Sequence, residues 1–599
     1  MGFIAGWYGT GIDRNQAPEL AESLKSCAPE STKKTIGIGI AESFALVSDD
    51  KRSLKQRDCL LALTGHGFGP LEAIVENYKT KGADFIKDMQ GAFTLMLLDE
   101  YEKRLLLATD RLGQNNLYYA QTPNGIVFGS TADSVIAHPE VSSEISRQSI
   151  YDYVYFHHCP SPHTIYRQVQ KLEGGQLLTY QDGKIALQYY WMPVFSEQGA
   201  YSLEQSGQAL RNEILEAVRQ SAADSNVTGA FLSGGLDSSS VAGALSKVYP
   251  EQAKTFTMGF PVEGYDEIEY ARIAVERFKT QPHEYYVTPD DTVAAVPKIA
   301  AYYDEPFGNS SALAAYYCAK LAKDNGIQVM LAGDGGDELY AGNERYAKQL
   351  LFNRYYRIPG FARTLLRAGL YNTPDVLLKN KILFKAKRYV EQAEVPLPDR
   401  LQDYNFMNRH PAQEIFTGDF LTGIDIDRPI QSLRDCYHRP ENASALNRML
   451  YMDWKTTLHD NDLVKVNRMC EMIGVEVRYP LLSNAIVDLS CRIPSSEKLK
   501  GQQLRWFYKQ AMRDFLPEAI INKSKHGFGL PFGIWLQDHQ PLKELAYDSI
   551  GALKKRDYFR ADFLDHAVKM HQSIHAAYYG ELIWILMMLE LWFQAKNHH

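Results

Sequence analysis

The chain has 599 residues, 45% of them hydrophobic and 23% charged, with a formal net charge of −8. This composition excludes a disordered chain, leaves room for two or more cores and, with no long basic run, argues against nucleic acid as a partner. Seven scattered cysteines without a CxxC pair predict neither disulfides nor zinc and suit a reduced, cytoplasmic setting. The first residues, MGFIAGWYGTGID, lack the basic and apolar regions of a signal peptide, and no stretch reads as long enough to span a membrane, so no membrane partner is expected.

Residues 1–204 are rich in short β-like runs: TIGIGI, FALVS, GAFTLMLLD, RLLLATD, NGIVFGS and GGQLLTYQDGKIALQYYW, broken by Gly, Asp and Asn turns. PLEAIVENYKTKG, between two of these runs, has helical periodicity. The pattern predicts an α+β domain with mostly antiparallel strands. Three stretches, Gly91–Asp99, Ala108–Ala120 and Val127–Pro139, resemble the glutaminase domain of class II asparagine synthetases, and PSPHTIYRQVQKLEGGQLLTY followed by YYW resembles the segment that closes that domain. The resemblance implies an N-terminal-nucleophile sandwich of two sheets between helices.

The departures from that family bear on chemistry. A working glutaminase needs a cysteine after the initiator methionine, and here that residue is Gly2, which has no side chain to attack with. The family's Arg-Gly-Pro-Asp stretch has no counterpart, and its Asn-Gly-Glu stretch is replaced by Leu63–Pro70, LTGHGFGP. We expect a structural domain that does not liberate ammonia from glutamine. His66, His157 and His158 read as solvated loop histidines.

From residue 205 the pattern changes. SLEQSGQALRNEILEAVRQSAA places Leu210, Ile214, Leu215 and Val218 at helical spacing. VTGAFLSGGLDSSS then reads as strand, tight turn and helix: Ser233, Gly234 and Gly235 bring backbone N–H groups to an anion, and Ser238 sits in the first helical turn. The lysine of a Walker A loop is missing. SGGLDSS resembles the pyrophosphate loop of ATP pyrophosphatases, which implies ATP as a substrate. Strands KTFTMGF, EYYV and IQVMLAGDGGDE alternate with helices DEIEYARIAVERFKT and SALAAYYCAKLAKDNG, predicting a parallel sheet with ligands beyond its carboxyl edge. Asp334, Asp337 and Glu338 crowd the second Gly/Asp loop; such a cluster repels itself unless a cation is present, so Asp237 and Asp337 are the expected Mg²⁺ pair.

Further roles come from the resemblance to asparagine synthetases. It implies Leu232, Met258, Ala332 and Gly333 around the adenosine and Asp334 facing an acyl adenylate. LHDNDLVKVNRMCEMIGVEVRYPLLSNAIVDLSCRIP places Asp462 where β-lactam synthetases of the superfamily orient their nucleophile, and puts Asn467 where the family usually has Asp. Glu476 and Arg478 read as a buried structural ion pair. INKSKHGFGLPFGIWL gives Lys525 as the cation for the phosphates and the oxyanion, with Lys523 as its neighbour. The aromatic-rich insertion between Tyr346 and Phe420 reads as a helical cap or a peptide-binding wall.

The expected architecture is an α+β glutaminase-like sandwich, inactive, over 1–204, followed by an α/β ATP-pyrophosphatase domain over 205–599. The expected chemistry is amide formation through an acyl adenylate, releasing AMP and pyrophosphate. Among branches without the N-terminal cysteine, the lasso-peptide macrolactam synthetases fit best. That reading implies a precursor core peptide as substrate, its Asp or Glu side chain joined to its own N-terminal amine, with a leader peptidase and a leader-binding protein as further partners. A β-lactam synthetase-like ligase, an ammonia-dependent asparagine synthetase and a non-catalytic scaffold are the alternatives.

Overall fold

The computed structural model describes residues 2–9, 11–12, 15–41, 44–49, 52–197, 201–373, 380–523, 529–573 and 575–597. Its first twelve strands lie between residues 4 and 189. They are β1 (Ile4–Tyr8), β2 (Ile36–Ala41), β3 (Phe44–Asp49), β4 (Ser53–Gln56), β5 (Cys59–His66) and β6 (Ala92–Asp99), then β7 (Arg104–Thr109), β8 (Tyr118–Gln121), β9 (Ile126–Gly129), β10 (Gln170–Lys171), β11 (Gln176–Gln181) and β12 (Lys184–Tyr189). They form two six-stranded sheets, ordered β10-β8-β9-β1-β3-β2 and β12-β11-β7-β6-β5-β4, with antiparallel pairing.

Side chains alternate across each strand, and the alternation sorts them into layers. Ile4, Leu46, Met96, Leu98, Leu105 and Leu107 meet between the sheets. Leu95 and Leu97, one residue out of phase, pack outward on Ile74, Val75 and Tyr78 of the helix Leu71–Lys81. Ala45 and Val47 face the other way, toward Ala17, Ala21 and Leu24 of the helix Ala17–Ser26. The result is helix, sheet, sheet, helix, the sandwich that the sequence predicts.

The second part holds a five-stranded parallel sheet, ordered β15-β14-β13-β16-β17. Its strands are β13 (Thr228–Phe231), β14 (Lys254–Gly259), β15 (Gln281–Tyr286), β16 (Val329–Leu331) and β17 (Glu476–Arg478). The chain runs outward from β13 on one side and returns to β16 on the other, so the order reverses between them. Loops leaving the carboxyl ends of strands at such a reversal leave a crevice for ligands. Both Gly/Asp loops leave there. The sequence reading gave IQVML as one strand, whereas only Val329–Leu331 pairs, and β17 was not foreseen.

One expectation is corrected. The helix Ala576–Ala595 is long and apolar enough to cross a membrane by composition, with a mean hydropathy of 1.3 over its best window, yet 72% of that window is buried. It is hydrophobic on all sides because neighbours pack all round it. Glu590 on it is buried and paired with Arg556.

The two parts meet across a polar seam. Lys171 from the sandwich lies 3.2 Å from Glu305 and 3.8 Å from Asp460, both of the second part, and all three side chains are buried. His459 donates through Nδ1–H to the Gly113 carbonyl at 2.8 Å, and an added Cβ at Gly113 would come within 2.5 Å of that ring. His158 is 5% exposed with neither ring nitrogen hydrogen-bonded, and burial pulls its imidazole down to about 4. His157 and His66 are half-buried and are likewise pulled down to about 4, chiefly by burial. The solvated-loop expectation for these histidines is therefore wrong: His66 ends β5, His157 caps the helix Arg147–Phe156, and the chain packs against all three.

Candidate functional site

The segment Ser233–Gly235 turns sharply from β13 into the helix Leu236–Val248. Gly234 has φ +69°, and an added Cβ would lie 2.4 Å from the Ala271 nitrogen, so both backbone shape and space require glycine. Ser238 braces the turn, its Oγ accepting from the Ser233 N–H at 3.2 Å. The first-turn N–H groups of the helix have no intrahelical acceptors and, with the helix dipole, favour an anion.

The second loop closes on the first through its glycines. An added Cβ at Gly333 would stand 2.6 Å from the Ser238 nitrogen, at Gly336 2.0 Å from Asp237 Oδ1, and at Gly342 1.7 Å from Asp337 Oδ1. Side chains at Gly336 and Gly342 would displace the carboxylates, and one at Gly333 would push against the first-turn backbone of the helix. Asp237 and Asp337 consequently face one point, which is taken by the Arg505 guanidinium. Nη1 donates to Asp237 Oδ2 at 2.7 Å and to Asp337 Oδ1 at 3.0 Å, and Nη2 donates to Asp237 Oδ1. Arg505 is itself buried and lies over the Tyr508 ring at 4.4 Å.

Around these acids opens a cavity of about 860 Å³, within the size range of small-molecule sites. Ser233, Gly235, Asp237, Ser238, Gly333, Asp334, Asp337 and Asp462 line it. Leu232, Met258 and Ala332 do not; they are 2, 6 and 1% exposed, at the ends of neighbouring strands, and Phe231 and Gly333 form the open wall instead. Burial pushes the Asp334 carboxyl up to about 6, with Asp462 adding to the rise and Lys465 opposing it. Asp462 ends a π-helical segment, Trp454–Asp462, a widened turn common at functional positions. Its Oδ1 accepts from Lys465 Nζ at 2.8 Å.

Lys465 and Arg505 are the residues that sequence reasoning missed. Lys465 is held protonated by Asp462 and Asp334 against its burial. Neither belongs to a motif, and only their position beside the acidic loops, which the fold brings about, gives them away. Lys525 lies outside the described residues. Lys523 lines the cavity, pairs with Glu267 at 3.1 Å and sits 4.4 Å over the Tyr270 ring.

Asn467 is elsewhere: its Nδ2 donates to the Gln114 carbonyl at 2.6 Å and its Oδ1 accepts from Tyr479 at 2.8 Å, across the seam. Glu476 and Arg478 pair at 2.8 Å on β17 as expected, though half-buried. None of the described residues between 346 and 420 lines this cavity.

Mg²⁺ commonly takes one or two carboxylates and completes its shell with phosphate oxygens and water. Asp237 and Asp337, converging on a point already suited to positive charge, fit that ion. Bound there with ATP, it would neutralise charge on the phosphates.

A second cleft, about 100 Å³, lies at the seam, lined by Gly2, Thr64, Gly65, His66, Asn467 and Tyr479 among others. An added Cβ at Gly2 would stand 2.9 Å from Thr64 Cβ. Thr64 is hydrogen-bonded to Thr94 and does not swing freely away.

A profile described as asparagine synthase matches residues 209–594, and one described as a glutamine amidotransferase domain matches residues 64–191. The glutamine-hydrolyzing asparagine synthetase 1 of Bacillus subtilis is 25% identical over 527 residues, covering 87% of this chain and 80% of its own. A putative glutamine-hydrolyzing asparagine synthetase of Mycobacterium tuberculosis is 24% identical over 596 residues, covering 97% and 88%. A putative glutamine-hydrolyzing asparagine synthetase 2 of Methanocaldococcus jannaschii is 29% identical over 479 residues, covering 75% and 88%. With its glutamine-amidotransferase-type sandwich, its parallel sheet and the acidic loops that meet at that sheet's edge, the chain belongs to the asparagine synthase family of ATP-dependent amide ligases.

Proposed function

We propose that the chain is a macrolactam synthetase. It adenylates an Asp or Glu side chain of a precursor core peptide and joins it to the peptide's N-terminal amine, releasing AMP and pyrophosphate. The observation that carries this reading is the contrast at two cavities: the ATP-sized one keeps its acids, while at the seam Gly2 has no side chain and Thr64 fills the space for one. A ligase without its own ammonia supply needs an amine from the substrate or from solution.

The carboxylate oxygen attacks the α-phosphate, the bond to pyrophosphate breaks, and the acyl adenylate forms. The amine then attacks the acyl carbon and AMP leaves with the C–O bond pair. In this site the helix N-terminus at Ser233–Asp237 holds the phosphates and Asp237 with Asp337 holds the cation. Asp462, kept in place by Lys465, accepts the amine proton, and Asp334 orients the acyl group. Lys525 carries the phosphate-neutralising role.

The test is purified protein with ATP, Mg²⁺ and a candidate core peptide. AMP and pyrophosphate should appear only with peptide, and mass spectrometry should show a product lighter by one water. A linear product, or no AMP, refutes it. The relatives' names favour a second reading, ammonia-dependent asparagine formation; turnover with aspartate and ammonium but not with peptides would establish it.

A further inference from the structure

The insertion carries a surface unlike the rest of the molecule. Between residues 351 and 394 there are nine Arg and Lys against three acidic residues, in a chain whose net charge is −8. Within this stretch lie the helices Gly360–Tyr371 and Lys381–Glu394, which close over a small core of Tyr355, Leu370, Val390 and Ala393, separate from the main one. With that core filled, the outward faces remain apolar: Phe361 is 74% exposed, Leu365 70%, Ile382 77% and Phe384 51%. Phe361 and Leu365 are one helical turn apart, and Arg363 and Arg367 repeat at the same interval beside them. Lys381, Lys385 and Arg388 are exposed around Ile382 and Phe384.

We propose that this ridge docks the protein onto an anionic lipid bilayer, as a peripheral contact and not a span. Side chains exposed by three-quarters stand proud of the surface, where a peptide groove would have shielded them. Protruding apolar tips interleaved with cations suit a fluid interface, into which the tips sink while Arg and Lys meet anionic headgroups. A second copy docking symmetrically would set one basic ridge against another. The burial of the one apolar helix of spanning length among the described residues leaves a surface contact as the form of membrane binding proposed here, contrary to the expectation of no membrane partner. The lead-in helix Glu344–Asn353 starts at Glu344 on the cavity rim, so docking would hold the site near the bilayer.

The experiment is flotation of the full chain, without ATP, on vesicles of phosphatidylcholine with or without phosphatidylglycerol. The protein should float with the anionic vesicles, not with the neutral ones, and be released by high salt. Phe361→Glu/Leu365→Glu/Ile382→Glu should lower the bound fraction about tenfold, with circular dichroism unchanged. Ile382→Glu alone, at the most exposed tip, serves should the triple variant misfold and should lower binding in the same direction. No flotation on anionic vesicles, equal flotation on both, or binding unchanged in the variants overturns the proposal. So does capture by polyglutamate that the apolar substitutions leave intact, which would mark a charge-only peptide site.

Discussion

Gly2 and Gly336 are under the same restriction for opposite reasons. At each, a Cβ would collide with a neighbour, Thr64 at 2.9 Å in one case and Asp237 at 2.0 Å in the other. At Gly336 the missing side chain is what lets the Asp237 carboxylate reach the cavity that we propose takes the nucleotide. At Gly2 the missing side chain is itself the chemistry that a glutaminase needs, and threonine has closed over the gap. A glycine in an enzyme loop is therefore read by what occupies the space beside it.

The contrast can be broken most forcefully at the acids. Asp337→Asn removes one of two charges facing the cation site while Arg505 keeps Asp237, and should lower AMP release about a thousandfold with little change in melting temperature. Activity within threefold of the parent would show that the loops are not the nucleotide site. Gly336→Ala tests the same point sterically: a displaced Asp237 should cost about a hundredfold in AMP release, and a crystal structure of the variant should show the carboxylate moved. At the other glycine, Gly2→Cys should yield no glutamate from glutamine and should destabilise the chain by about 1–3 kcal/mol through overpacking. Thr64→Gly added to it should recover stability without hydrolysis, and glutamate release from either variant would erase the contrast.

The smallest effect separates fold stability from site chemistry. Lys498 is fully buried beside the Phe195 ring, and burial pulls its ammonium down to about 8. In the unfolded chain a lysine titrates near ~10.4. Between these values the unfolded state holds more protons, so stability should climb as pH rises from 8 toward 10, and the penalty is complete below 8. Lys498→Met removes this dependence. Urea unfolding at pH 7 and pH 10 should show the variant gaining on the parent at the lower pH, and a constant difference would contradict the assignment.

Most of the architecture was legible because it rests on local periodicity. Short apolar runs such as GAFTLMLLD and RLLLATD give the antiparallel strands, the family resemblance implies their stacking as a sandwich, and strand–helix alternation after Thr228 gives the parallel sheet. The convergence of the two loops followed from the strand-end rule for such sheets. What stayed hidden depends on contacts distant in sequence. Arg505 lies 268 residues from Asp237, and nothing in LRWFYKQ announces that it bridges two acids. The π-helical turn that presents Asp462 has no signature distinguishing it from an ordinary helix. The length of the apolar helix Ala576–Ala595 was not legible either, and only the fold supplies a partner for Glu590 within it.

The seam also ties the two halves of the chain to one another. Lys171 supplies positive charge to Glu305 and Asp460, which belong to the rear half and are otherwise sealed from water. Cutting the chain before residue 205 would take away Lys171 together with the Tyr118, Ser161 and Ile165 groups that bind these two acids, and would open to water a wall that the intact chain keeps closed.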